Sequence, residues 1–119
     1  MPQITIEYSA VLADLFDRRG FALALHPAAS ELIGSPPADF KTRFHALDEV
    51  VIGDGGAAEA MVHADVAILP GRAAAVKERL GALTLETLCR FLGPESGRNT
   101  QVTVEVRDIA AYHKRVLPQ

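Results

Sequence analysis

One cysteine, Cys89, is all the thiol in the 119 residues, so no disulfide can staple the chain internally. Its place inside a helix-like pattern predicts a buried, inert thiol. No run of lysine or arginine occurs and the formal net charge is −3, which argues against nucleic acid as a partner. No apolar stretch reaches the roughly 18 residues of a membrane span. The start lacks the charged and apolar regions of a secretory signal, so a cytoplasmic protein off the membrane is expected. The marks of several common chemistries are missing too. The "GDGG" at 53–56 is not followed by Gly-Lys-Ser/Thr, which sets nucleotide binding aside. The four histidines show neither a helical His-x3-His nor any Cys-rich spacing, so no metal is expected. No serine sits in a nucleophile elbow.

What remains is an ordinary globular composition, 49% apolar and 23% charged, in a length that fits one domain, residues 1–119. Residues 2–8 alternate, with Pro2, Ile4, Ile6 and Tyr8 on one side and Gln3, Thr5 and Glu7 on the other, which predicts a half-buried strand. From about Ser9 to Ile33 the period becomes helical through Leu12, Leu15, Phe16, Leu25, Ala29 and Leu32, with Gly20 a weak point. "GSPP" at 34–37 ends that helix. "FKTRFHALD" from Phe40 predicts a second strand, Phe40, Thr42 and Phe44 facing one way, Lys41, Arg43 and His45 the other. A third strand is expected over 60–69, with Val62, Ala64, Val66 and Ile68 on one side. Pro70-Gly71 then breaks the chain. A second helix is expected from Arg72 to Leu92, with Val76, Leu80, Leu83, Leu88 and Phe91 inward, stopping at Gly93-Pro94. "TQVTVEVRDI" predicts the last strand, and the tail a short helical turn. The order is two β-α-β units, about 2–46 and 60–108. Such units predict an α+β fold, a mixed sheet with both helices packed on one face.

Pro2 is the residue with the most unusual chemistry. Trimming of Met1 would leave a secondary amine, a base that no other residue supplies. α-Amines titrate near 8, and burial on the apolar face together with neighbouring cations would lower that value toward neutrality. The bland reading is a proline at a strand start, where its missing N–H does no harm. Arg72 opens the second helix, where the macrodipole disfavours positive charge by roughly 0.3–1 kcal/mol; a compensating role, such as a carboxylate cradle with the helix amides, is one account, and an arginine bending into solvent is the other. Lys41, Arg43 and His45 share a strand face and could converge on one anion, or merely be solvated. His63 and Asp65 share a face in the same way.

Taken together, Pro2 on a strand, "KTRFH" at 41–45 and "PGR" at 70–72 in a doubled β-α-β chain resemble the tautomerase superfamily. More narrowly, they resemble its 5-carboxymethyl-2-hydroxymuconate isomerase family. The resemblance implies a homotrimeric isomerase with no cofactor, acting on a small anionic enol or keto carboxylate. It implies catalytic roles for Pro2, Arg72 and Arg43 and substrate binding by Lys41 and His45. Pro2 would take the proton from the 2-hydroxyl of a dienol and return one further along the conjugated chain. The family pattern is Arg-x-Arg-x-His, and here Lys41 stands at its first position, keeping the charge but losing the bidentate fork. Two alternatives are a non-catalytic oligomeric module binding a small metabolite and a proline-based tautomerase for another enol such as phenylenolpyruvate.

Overall fold

The structure is a computed structural model that describes residues 1–94 and 97–119. Four strands, β1 (Gln3–Ser9), β2 (Lys41–Leu47), β3 (Glu59–Ile68) and β4 (Asn99–Asp108), form one sheet in the order β2-β1-β3-β4. β1 runs parallel to β2 and antiparallel to β3, and β3 runs parallel to β4. Each parallel pair is joined through a helix, α1 (Arg18–Ile33) or α2 (Ala74–Arg90). The sheet is therefore mixed, and the fold is the α+β arrangement that the doubled pattern predicts.

Strand alternation decides which face the helices cover. Ile4 and Ile6 of β1, and Val62, Ala64 and Val66 of β3, are wholly buried. They share one core with Phe21, Leu25 and Ala29 of α1 and with Leu80 and Leu88 of α2. The opposite face carries Thr5 and Glu7, flanked by Arg43 and His45 of β2 and by Asp65 and His63 of β3.

The elements start later, or end earlier, than periodicity suggests. α1 begins at Arg18, not Ser9: a short 3-10 turn over Ala10–Leu12 and a bridge between Phe16 and Leu92 come first. Asp17 is the N-cap, its Oδ1 accepting from the Gly20 N–H at 3.0 Å, so Gly20 belongs to the first helical turn and not to a weak middle. Pro27 lies inside α1 on its exposed side, where the one backbone bond it removes is readily replaced by water. α1 ends with Gly34 at φ +78°, a left-handed cap that suits glycine. α2 likewise begins only at Ala74, behind an extended Ala73. The tail after Asp108 has no helical turn; it runs on as irregular chain. Cys89 is exposed, contrary to expectation, because its neighbour Leu88 takes the inward position on α2.

Candidate active site

Topology brings one set of termini together. β1 and β2 start, and β3 and β4 finish, at the same end of the sheet. α1 delivers Ile33 there and α2 departs from there. Pro2 sits at this end, fully buried, and its carbonyl accepts from the Lys41 N–H at 3.2 Å. The strand parity that places Pro2 with Ile4 and Ile6 is what buries it.

The amine in front of Pro2 is that of Met1. It lies 4.0 Å from Asp39 Oδ2. Burial holds this amine below the ordinary α-amine range; Asp39 acts against that shift, while Lys41, Arg72 and Lys114 reinforce it. The charges of three cations, from β2, the loop ahead of α2 and the tail, thus all act on one terminal amine. Asp39 is itself kept below the usual carboxylate range, first by its hydrogen bond from Lys114 and also by the charges of Lys114, the amine and Lys41. The Lys114 Nζ to Asp39 Oδ1 distance is 3.2 Å, and Lys41 Nζ donates to the Asp39 carbonyl at 3.0 Å.

Arg72 comes from the loop ahead of α2, not from the helix itself. Its guanidinium reaches back to the carbonyl end of α1: Nε and Nη2 donate to the Ile33 carbonyl at 3.2 and 3.1 Å, and Nη2 also to Ser35 Oγ at 3.1 Å. Nη1 donates to the Leu69 carbonyl at 3.2 Å. At a helix C-terminus a cation is favoured, so the electrostatic penalty expected for a helix-opening arginine does not arise. One Nη1 proton is left over from this arrangement.

Arg43 is on the helix-free face. Its Nη1 donates to Gln3 Oε1 at 2.7 Å, and the same Gln3 donates through Nε2 to Tyr112 Oη at 3.2 Å. A chain of side chains therefore links Arg43 to the tail across the start of β1. His45 pairs opposite Glu7, four residues and about 13 Å along the strand from Gln3, and is exposed. His63 pairs opposite Glu7 from the other side, and its Nδ1 lies 2.7 Å from Thr103 Oγ1. Asp65 is engaged by Arg107 at 3.0 Å. Within the chain, then, Pro2, Lys41 and Arg72 gather at one end, Arg43 is joined to that end through Gln3, and His45 is remote from it.

Sequence reasoning missed Asp39, Gln3, Tyr112 and Lys114. Asp39 had a faint signal, an acid two residues ahead of Lys41. Nothing in the pattern of the tail showed that Tyr112 and Lys114 return to the N-terminus. A hollow of about 530 Å³ is lined by Tyr112, His113, Lys114 and Arg115. A separate cleft of about 370 Å³ lies toward the opposite end of the sheet, with Leu12, Leu15, Cys89, Arg98 and Val102 among its walls; it contains none of the candidate residues. Among the described residues no group of three or more His, Cys, Asp or Glu is placed to hold a metal ion, and no helix is long and apolar enough to cross a membrane.

This fold is the tautomerase fold. A crystal structure of a 5-carboxymethyl-2-hydroxymuconate delta-isomerase matches with a TM-score of 0.82 at 19% identity, over 99% of this chain and 89% of that one. A 5-carboxymethyl-2-hydroxymuconate isomerase from Deinococcus radiodurans R1 matches at 0.76 and 21%, over 97% and 90%. A fused 4-OT symmetric trimer matches at 0.72 and 18%, over 97% and 93%. No curated protein matches the chain in sequence. The family model for 5-carboxymethyl-2-hydroxymuconate isomerase, however, matches residues 2–115. The chain belongs to that family, and it is an isomerase of the tautomerase superfamily.

Proposed function

We propose that the protein shifts a proton along the conjugated system of 5-carboxymethyl-2-hydroxymuconate, with the amine of Pro2 as general base once Met1 has been removed. The base takes the proton from the 2-hydroxyl, so that the C2–O bond becomes a carbonyl and the conjugated double bonds move along the chain. The same nitrogen then delivers a proton to the carbon at the far end, closing the cycle with no net change in the enzyme. One well-placed base and cationic stabilisation of the developing oxyanion suffice for this chemistry, so the reading assigns no cofactor.

The observation that carries the reading is the burial of Pro2 directly behind a terminal amine, that of Met1, on which the charges of Lys41, Arg72 and Lys114 act. The two causes that lower an amine's pKa, desolvation and like charge, act together there. Two of these cations, Lys41 and Arg72, would receive the carboxylates of an anionic substrate. This local capture matters because the chain as a whole carries a charge of −3. Lys41 and the remaining Nη1 proton of Arg72 are assigned to carboxylate and enolate oxygens. Arg43 is assigned to a carboxylate from across the sheet start.

The assembly is proposed to be a homotrimer. The edges β2 and β4 of the small sheet are open in the protomer, and an exposed strand edge seeks a partner. The polar helix-free face, which carries Arg43 and His45, is then available to a neighbouring protomer's substrate; a neighbour is the route by which His45 could take part. The trimeric 4-OT likeness supports this reading.

The test combines intact mass of the untagged protein with an isomerisation assay. The reading expects loss of Met1 and a fall of at least a hundredfold in kcat/KM for Pro2→Ala with the fold retained. An active enzyme that keeps Met1 would remove the mechanism.

A further inference from the structure

The C-terminal tail leaves the end of β4 and crosses the start of the sheet, where Tyr112 meets Gln3 and Lys114 meets Asp39. We propose that Lys114 is a positioning residue for the N-terminal base: by holding the Asp39 carboxylate in an ion pair, it stops that carboxylate from keeping the catalytic amine protonated. This inference rests on the assignment of Pro2 as the base.

Among the described residues, Asp39 is the one acidic group whose charge acts on the terminal amine. It precedes β2 by two residues and its Oδ2 lies 4.0 Å from the Met1 nitrogen. The other charged groups facing that amine are Lys41 of β2, Arg72 of the loop before α2, and Lys114 of the tail. Removal of Met1 moves the amine back by one residue, to the Pro2 nitrogen just ahead of β1. It leaves the amine beside the same elements, since the Pro2 carbonyl is fixed to the Lys41 N–H.

An unpaired carboxylate near an amine favours its ammonium form, and an ammonium cannot accept the proton of an enol. Lys41 Nζ engages the Asp39 carbonyl and not its carboxylate. The carboxylate is left for Lys114, whose Nζ lies 3.2 Å from Oδ1. The pair lies at the surface, with side-chain exposures of 40% for Lys114 and 34% for Asp39, so its effect is modest and weakens with added salt. A tail with no regular structure of its own thereby supplies the ammonium that pairs with the Asp39 carboxylate.

The experiment is the pH dependence of kcat/KM for untagged wild type, Lys114→Gln, Lys114→Arg, Asp39→Asn and the double variant, with 5-carboxymethyl-2-hydroxymuconate and, as a monoacid, phenylenolpyruvate. Lys114→Gln should move the acid limb up by about half a pH unit with both substrates at low ionic strength, a loss of about threefold at pH values below the limb. Lys114→Arg should keep the wild-type limb. Asp39→Asn should move it down, and adding Lys114→Gln to that background should shift it by less than half as much as in wild type. A limb that depends on Pro2 but stays put in Lys114→Gln overturns the inference and leaves the base assignment standing. A rise in KM for the tricarboxylate alone, with no shift of the limb, also overturns it, and makes Lys114 a substrate ligand. Full activity in Pro2→Ala overturns both.

Discussion

Arg72 and Ile33, 39 residues apart, meet through a fork: Nε and Nη2 of the arginine both donate to the same carbonyl, at 3.2 and 3.1 Å. That carbonyl belongs to the last turn of α1, where unsatisfied acceptors concentrate and positive charge is favoured. The arginine therefore ties the end of one β-α-β unit to the start of the helix in the other. Lysine cannot reproduce this, because one ammonium cannot span Ile33, Leu69 and Ser35 together.

Arg72→Lys is accordingly expected to lower stability by about 1–2 kcal/mol and to raise KM. Arg72→Ala should do both to a greater degree. Urea unfolding and steady-state kinetics on the same preparations separate the two effects. An arginine that served substrate alone would leave the unfolding midpoint where it was.

Two helical glycines are predicted to respond with opposite signs. A Cβ at Gly20 would lie 2.9 Å from Phe91 Cε1 and press on the Asp17 carboxyl that caps the helix. Gly20→Ala should therefore destabilise by about 1–2 kcal/mol despite alanine's better helix propensity. A Cβ at Gly81 meets Val106 Cγ2 at an ordinary 3.5 Å. Gly81→Ala should stabilise by about 0.5–1 kcal/mol. Thermal melts of the two variants decide the matter, and shifts in the same direction would contradict it.

His26 gives a pH signature. Its Nε2 lies 2.8 Å from Thr42 Oγ1 and its ring packs beside Phe40, and burial lowers its pKa below the ordinary 6.5. Between the native and unfolded values the unfolded chain binds the proton and the native one does not. The ring's contribution is thus full above about pH 6.5 and is lost as pH falls through the native pKa. His26→Gln should show a flatter decline in stability from pH 7.5 to 5 than wild type. Equal slopes in urea titrations would refute this.

Cys89, exposed on α2, should react with a thiol reagent in the folded protein, at one equivalent per chain and before unfolding. A thiol that reacts only in denaturant would place it in the core or under another protomer.

The pattern of two β-α-β units and the face assignment of Pro2, Ile4 and Ile6 were legible because alternation and helical period are local signals. The late start of α1 was not: Leu12, Leu15 and Phe16 fit a helical stripe, yet they pack through a 3-10 turn and a bridge to Leu92 that only the tertiary fold supplies. Cys89 was misread for a related reason, since a helix period marks a stripe without fixing its edges, and Leu88 filled the inward place. Pro2, Lys41 and Arg72 could be singled out by type and order. Asp39 and Lys114 could not, because 75 residues separate them and no local pattern encodes their meeting.

The account stands on the state of the nitrogen of Pro2, and NMR titration of protein labelled with ¹⁵N-proline reads it directly. The account predicts one proline nitrogen that titrates as an amine, with a pKa below the ordinary α-amine value and equal to the acid limb of kcat/KM. An active enzyme in which every proline nitrogen is a non-titrating amide would contradict it.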